Sequence, residues 1–234
     1  MDGSFGPDEA VLVGRLRRGE PEAAEAVMQR HNRALWRIAR GILRNDADAE
    51  DAVQDAYLRA FSRIGEFRGE SSLGSWLGRI VVNEALRRLG RRHPTADLAE
   101  ADGVRGLAPS PEAEAARVEL RRMVERAVDA LPTPFRTVFI LRSVEQASIA
   151  ETAGALGIPE ATVKTRLHRA NRMLRNALGA ELAASIEGAF PFGGARCARL
   201  TARVLDRLCQ NQNAESQNAK TSNIGNFFAP LPVQ

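Results

Sequence analysis

Apolar residues recur at threes and fours along most of this chain, the spacing of helices that bury one face. The pattern is sustained from Asp8 to about Arg92, where Val53, Ala56, Tyr57, Ala60, Phe61 and Ile64 draw a core-facing stripe. It collapses over 93–111, HPTADLAEADGVRGLAPSP, whose Pro, Gly, Ala and Asp leave no apolar period and predict a linker. Helical patterning returns over 112–178, with Pro132 and Pro134 ending one helix near Leu131 and starting the next. The breaker GAFPFGG precedes RCARLTARVLDRLC, one more amphipathic helix with Leu200, Val204, Leu205 and Leu208 along one side. After Cys209 the sequence QNQNAESQNAKTSN cannot bury a core and predicts a disordered tail. No segment alternates with the period of a strand. The expected fold is all-α: helical domains at 8–92 and 112–178 on a flexible linker, a C-terminal helical extension at 179–209 and a polar tail at 210–234.

Composition narrows the classes. The 234 residues are 44% hydrophobic and 26% charged, a soluble globular balance, and only 5% aromatic, which favours packed helices. No stretch approaches the roughly 20 apolar residues of a membrane span, so no membrane insertion is expected. The opening MDGSFGPDEA is acidic, without the apolar core of a signal peptide. Cys197 and Cys209 form neither a disulfide framework nor a zinc motif, and a reduced, cytoplasmic protein without metal or cofactor is expected.

The formal net charge of +4 matters because it is clustered. In SIAETAGALGIPEATVKTRLHRANRMLR, Ser148 and Glu151 have capping-box spacing, Gly157 permits a tight turn, and Pro159 suits the first position of the next helix. Val163, Leu167, Ala170 and Leu174 form the buried stripe of that helix, while Lys164, Arg166, Arg169, Arg172 and Arg175 stand against only Glu160. Two short helices about a Gly turn, the second basic, describe a helix-turn-helix with its recognition helix. Such cations neutralise phosphates and can reach guanine edges in the major groove. His168 is equally readable as a solvent-facing residue or a DNA contact.

A second basic cluster spans Arg79 to Arg92, five arginines against Glu84, accompanied by Phe67, Trp76 and Asn83. An aromatic beside basic groups can stack on an unpaired base, and Asn can read a base edge. Trp76, among Leu77, Ile80 and Val81, reads first as core; Phe67, before the loop-like Arg68, Gly69 and Glu70, is expected to be exposed. The opposite sign fills 45–55: Asp46, Asp48, Glu50, Asp51 and Asp55, with no Lys or Arg. Acids at a helix start are favoured by its dipole. Asp51 and Asp55 lie a turn further in, where an acidic face suits a basic protein surface better than DNA.

The ordered combination of DADAEDAVQDAYLRAF, FRGESSLGSWLGRIVVNEALRR and LPTPFRTVFILRSVEQASIAETAGALGIPEATVKTRLHRANRMLR resembles the bacterial sigma-70 family, in its small extracytoplasmic-function (ECF) form with regions 2 and 4 alone. The resemblance covers about Asp8 to Leu178. It implies a factor that binds core RNA polymerase, through the β′ clamp helices and the β subunit, and directs it to promoters. The β′ contact would fall on Asp48, Asp51, Gln54 and Asp55. Capture of the melted, single-stranded −10 element would fall on Phe67, Arg79, Asn83, Arg87 and Arg88. The duplex −35 element would be read by Lys164, Thr165, Arg166, His168 and Arg169. An anti-sigma factor is a further partner the resemblance implies. It also implies two splayed domains, set apart so that two DNA elements can be read together.

Two other classes compete. A free-standing helix-turn-helix regulator leaves Asp48–Asp55 and the aromatic-basic segment without a role. A metal-dependent nuclease on Asp46, Asp48, Glu50 and Asp51 lacks a convergent ligand cradle, because successive acids on a helix point in several directions. No catalytic residue is expected. The extension after Leu178 departs from the family pattern, and its helix could be an appendage with no specific role, pack back on the second domain or serve a regulator.

Overall fold

The structure is a computed structural model that describes residues 6–91, 111–178 and 196–210. The linker expected at 93–111 lies almost wholly outside the described residues, as do the 188–194 breaker and the polar tail. The described residues are helical throughout their regular structure, without a strand, as the periodicity predicts. None of their helices is long and apolar enough to cross a membrane.

The first domain holds α1 (Pro7–Arg17), α2 (Pro21–Leu43), α3 (Asp46–Ser62), a 3-10 turn (Ile64–Glu66) and α4 (Leu73–Arg91). Proline opens α1 and α2, where its missing N–H loses no intrahelical bond. Arg44 ends α2 in the left-handed region (φ 58°), and Asn45 then caps α3 by accepting from the Asp48 N–H at 2.9 Å. The Ser72 hydroxyl does the same for α4, accepting from the Ser75 N–H at 3.2 Å. Helices α2, α3 and α4 pack mutually around Met28, Leu35, Ile38, Ile42, Tyr57, Leu73 and Leu77. The stripe read along α3 is buried at Val53, Ala56, Tyr57, Ala60 and Ile64, with Phe61 at its margin.

The second domain holds α5 (Pro111–Ala130), α6 (Thr133–Phe139) extended by a π turn (Ile140–Val144), α7 (Ile149–Leu156) and α8 (Glu160–Leu178). The break at Pro132 and the capping box at Ser148 and Glu151 fall where the sequence places them. Pro159 sits one position earlier than expected. Its carbonyl accepts from Thr162 and Val163 N–H, so it caps α8 instead of opening it.

The two domains are not splayed here. Helix α6 and its π turn pack on α2, and α7 packs on α4. Gly41 lets α2 approach the π turn so closely that a Cβ there would lie 2.6 Å from Ile140 Cγ1. Arg136, 2% exposed, fills the seam and donates to the carbonyls of Gly41, Ile42 (3.3 Å), Asp129 (3.1 Å) and Leu131. Those carbonyls end α2 and α5, where helices leave acceptors unsatisfied, so one guanidinium caps a helix from each domain. Burial lowers its pKa from 12.5 to about 10, which still leaves it charged at neutral pH. Arg40 adds a two-pronged bridge to Asp129 at 3.0 and 2.9 Å.

Residues 196–210 form a last helix, α9, with Leu200 and Val204 fully buried and Leu205 and Leu208 partly so. Its predicted apolar side is correct. Of the alternatives left open for it, packing on the second domain is not the one found: α9 lies on α2 and α3 of the first domain, where acidic side chains meet its arginines.

Candidate nucleic-acid and partner interfaces

The acidic side of α3 starts from its N-terminus, where Asp46 and Asp48 complement the helix dipole. Asp51 is exposed, Asp48 and Asp55 are half-buried, and Gln54 is buried at 4% exposure, so Gln54 lies beneath the surface its neighbours form. These acids are engaged. Asp46 accepts from Arg40 (2.7 Å) and Arg196 (2.8 Å), and Glu50 from Arg196 (2.9 Å) and Arg203 (2.8 Å). Arg203 also reaches Asp51 at 3.7 Å, and Arg207 reaches Asp55 at 3.8 Å. Burial works against the charge of Arg196, but its bonds to Asp46 and Glu50 prevail and raise its pKa. The acids meet guanidinium groups and do not converge on one another.

Reading the sequence for single motifs missed Arg196, Arg203 and Arg207. Their spacing of seven and four places them on one helical face, beside the Leu200 and Val204 stripe, and that signal was available.

The second surface is an open cleft of about 750 Å³ lined by Phe67, Arg68, Glu70, Ser71, Trp76 and Arg79, among others. Phe67 corrects an expectation. It is 3% exposed, with its ring 5.3 Å from that of Trp76, and Arg17 binds its carbonyl at 2.7 Å. Trp76 itself is half-buried and packs on the core, so both readings of it retain a place. Arg79, Asn83 and Arg87, four residues apart along α4, are all exposed and form one stripe leading from the cleft. Arg87 turns back to Glu84. Arg88 is committed to Asp55 and Glu84, tying α4 to α3. Glu84, 1% exposed, holds three arginines, counting Arg59 at 3.3 Å.

The third surface is the helix-turn-helix. Glu151 closes the capping box on α7, accepting from Ser148 N–H at 2.8 Å, and its other oxygen takes the Ser75 hydroxyl of α4. Burial raises the pKa of this carboxyl, but the hydrogen bonds from Ser75 and Ser148 outweigh it and hold the pKa below its ordinary value. Gly157 turns the chain in the left-handed region, φ 63°, where a side chain is strained. Helix α8 then buries Val163, Ala170 and Leu174, half-buries Leu167, and leaves Lys164, Thr165, His168, Arg169, Arg172 and Arg175 exposed. Arg166 is half-buried, and the Thr165 hydroxyl is spent on the Ala161 carbonyl at 2.9 Å. The five residues read for duplex DNA thus share one end of one helix.

Two family models match separate stretches of the chain. The family described as Sigma-70 region 2 matches residues 27–95, and that described as Sigma-70, region 4 matches 121–174. The ECF RNA polymerase sigma factor SigM of Mycobacterium tuberculosis is 39% identical over 173 residues, covering 73% of this chain and 85% of SigM. The ECF RNA polymerase sigma-E factor of Escherichia coli K12 is 30% identical over 178 residues, 72% and 93% of the two chains. Among solved structures, CnrH in complex with the cytosolic domain of CnrY superposes with a TM-score of 0.54 at 27% identity, covering 72% of this chain and 95% of CnrH. RpoE of Bartonella quintana, solved with the anti-sigma factor NepR, shares the fold at a TM-score of 0.52 and 23% identity, over 63% and 91% of the chains.

Proposed function

This chain belongs to the ECF group of RNA polymerase sigma factors, and from that premise we propose how its three surfaces divide the work of promoter-directed initiation. As a sigma factor it binds core RNA polymerase, directs it to promoters through −35 and −10 elements and promotes the start of transcription. Helix α8 enters the major groove of the −35 element, with Lys164, Arg166 and Arg169 supplying base and phosphate contacts and His168 at the rim. The cleft between Phe67, Trp76 and Arg79 receives an unpaired base of the −10 strand. Phe67 serves there as a wall of the cleft and not as a free ring, and Asn83 with Arg87 tracks the strand along α4. Arg88 supports this stripe through Asp55 and Glu84 instead of touching DNA.

The acidic face of α3 takes the basic β′ surface of core polymerase through Asp48, Asp51 and Asp55, with Gln54 packing beneath. The chain acts in the cytoplasm, by itself is not an enzyme, and is a candidate for capture by an anti-sigma factor, as CnrH and the Bartonella RpoE were solved with protein partners.

The observation that carries this reading is the bare basic face of α8 on a capped helix-turn-helix, in a chain that also holds region 2. Run-off transcription with purified core polymerase on genomic fragments tests it. Discrete transcripts should require both components, and Arg169→Ala should weaken them by about 1–3 kcal/mol of promoter binding. DNA binding of equal strength with and without core, with no transcript, would instead establish the free-standing regulator.

A further inference from the structure

Helix α9 joins an apolar strip to a basic one. Leu200 and Val204 are fully buried against the first domain, and Asn32, itself inaccessible, donates to Thr201 Oγ1 at 3.0 Å and Cys197 Sγ at 3.1 Å. Beside that strip, Arg196 bridges Asp46 and Glu50 with its guanidinium 5.2 Å from the Trp36 ring centre, Arg203 bridges Glu50 and Asp51, and Arg207 meets Asp55. Three arginines therefore engage four acids of a single face of α3. A basic partner docking on that face through Asp48, Asp51 and Asp55 needs two of these carboxylates, Asp51 and Asp55.

We propose that α9 is a built-in occupant of the α3 acidic face, holding the chain in a state that core polymerase must displace. This rests on the assignment of that face to core polymerase made above. Seventeen residues, 179–195, separate α8 from α9, so the helix is tethered to its own target. A tether of that order gives an effective concentration near the mM range, and a modest contact then competes with a partner present at far lower concentration. The apparent affinity for core falls by the fraction of chains whose face is free. The contact is also built to yield. Arg203 and Arg207 are 42% and 53% exposed, and a partner that brings its own cations replaces their pairs one for one.

The test uses full-length chains. In R203E/R207E the two exposed arginines are reversed, which leaves the buried apolar strip untouched. Core affinity, measured by fluorescence anisotropy with purified core polymerase, should rise at least ten-fold over the parent. In a C209S background, Cys197 is the one remaining thiol and is half-buried by Asn32. Its alkylation, read by mass spectrometry on this chain, should accelerate about ten-fold in R203E/R207E, and equally in the parent once core is saturating. Equal core affinities, with Cys197 as protected in the complex as in the free chain, would overturn the occlusion and leave the polymerase assignment standing. Absence of core binding by both chains, with Cys197 released in the variant, would overturn the assignment of the face and this inference with it.

Discussion

The first domain carries two intramolecular joints of opposite character, one to the second domain and one to α9. At the domain seam the charges are buried: Arg136 is 2% exposed, and Arg37 and Glu145, 3.5 Å apart, are both under a tenth exposed. Backbone carbonyls and a glycine contact complete it. At the α9 seat two aliphatic side chains are buried, but three of the five ionic contacts are made by exposed arginines. A buried charge is costly to leave without its partner and hard to screen, whereas exposed pairs are worth little each and fade with salt. One domain therefore holds a firm joint and a releasable one, and the releasable one covers the face that a partner needs.

Arg136→Ala should break the contrast most. It strands the end carbonyls of α2 and α5 inside the seam, and removing one partner of a buried charged network costs on the order of 3–5 kcal/mol. Urea unfolding should show that loss, and amides of α6 should exchange far faster. A loss below about 1 kcal/mol would mean that water replaces the guanidinium and the seam is not dry.

Gly41→Ala comes next. An alanine ordinarily favours a helix interior by about 1 kcal/mol over glycine. Here its Cβ would fall 2.6 Å from Ile140, a fully buried side chain, so a net destabilisation of about 1–3 kcal/mol is expected. Gly78→Ala is the control, because its Cβ would meet Ile38 at an ordinary 3.7 Å. It should be neutral or stabilising. If both substitutions stabilise, α2 and the π turn can separate freely.

These two positions also mark where reading the sequence stops. Local signals carried far: the stripe on α3, the capping box at Ser148, the Gly157 turn and the amphipathic side of α9 are each set by neighbours within a turn or two. Arg136 gave no such signal, because the carbonyls of α2 that it caps lie 94 and 95 residues away. The same holds for α9, whose arginines meet acids about 150 positions earlier. Phe67 misled for a related reason. Its following residues read as loop, while its burial comes from Trp76 and from Arg17, 50 residues before it. Arg88 counted as free positive charge until Asp55, from another helix, was beside it.

The seam should also respond to pH. Burial raises the pKa of Glu145 from 4.5 to about 7, against the opposing pull of Arg37 and Arg33. The packed state therefore holds the Glu145 proton more tightly than the unfolded chain does. Its contribution is complete below the ordinary carboxylate value and is lost as pH rises through about 7. Between about pH 6 and pH 8 this amounts to about 1 kcal/mol. His31 runs the other way: burial, then Arg30, lowers its pKa from 6.5 to about 4, so its loss comes only on acidification through that range. Between pH 6 and 8 the parent's unfolding free energy should fall by about 1 kcal/mol relative to that of Glu145→Gln, in which only the opposing rise from His31 remains. An unchanged slope in the variant would remove Glu145 as its source.

Salt should separate the two joints with the smallest energies of all. Each exposed pair of Arg203 and Arg207 is worth about 0.2–1 kcal/mol and weakens as the screening length shrinks from about 10 Å at 0.1 M to about 3 Å at 1 M. Arg196, 17% exposed and paired with Glu50 at 13%, is shielded from that effect, so salt loosens the far end of α9 before the near end. Alkylation of Cys209 is fast throughout, because it is exposed from the start, whereas Cys197 beside Asn32 reports the docked end. Raising NaCl should speed amide exchange over residues 203–208 by a few-fold, and Cys197 alkylation less, while amide exchange in α6, across the domain seam, stays constant. Equal responses at both places would show that the seam and the α9 seat open as one unit, and the division into a firm and a releasable joint would fail.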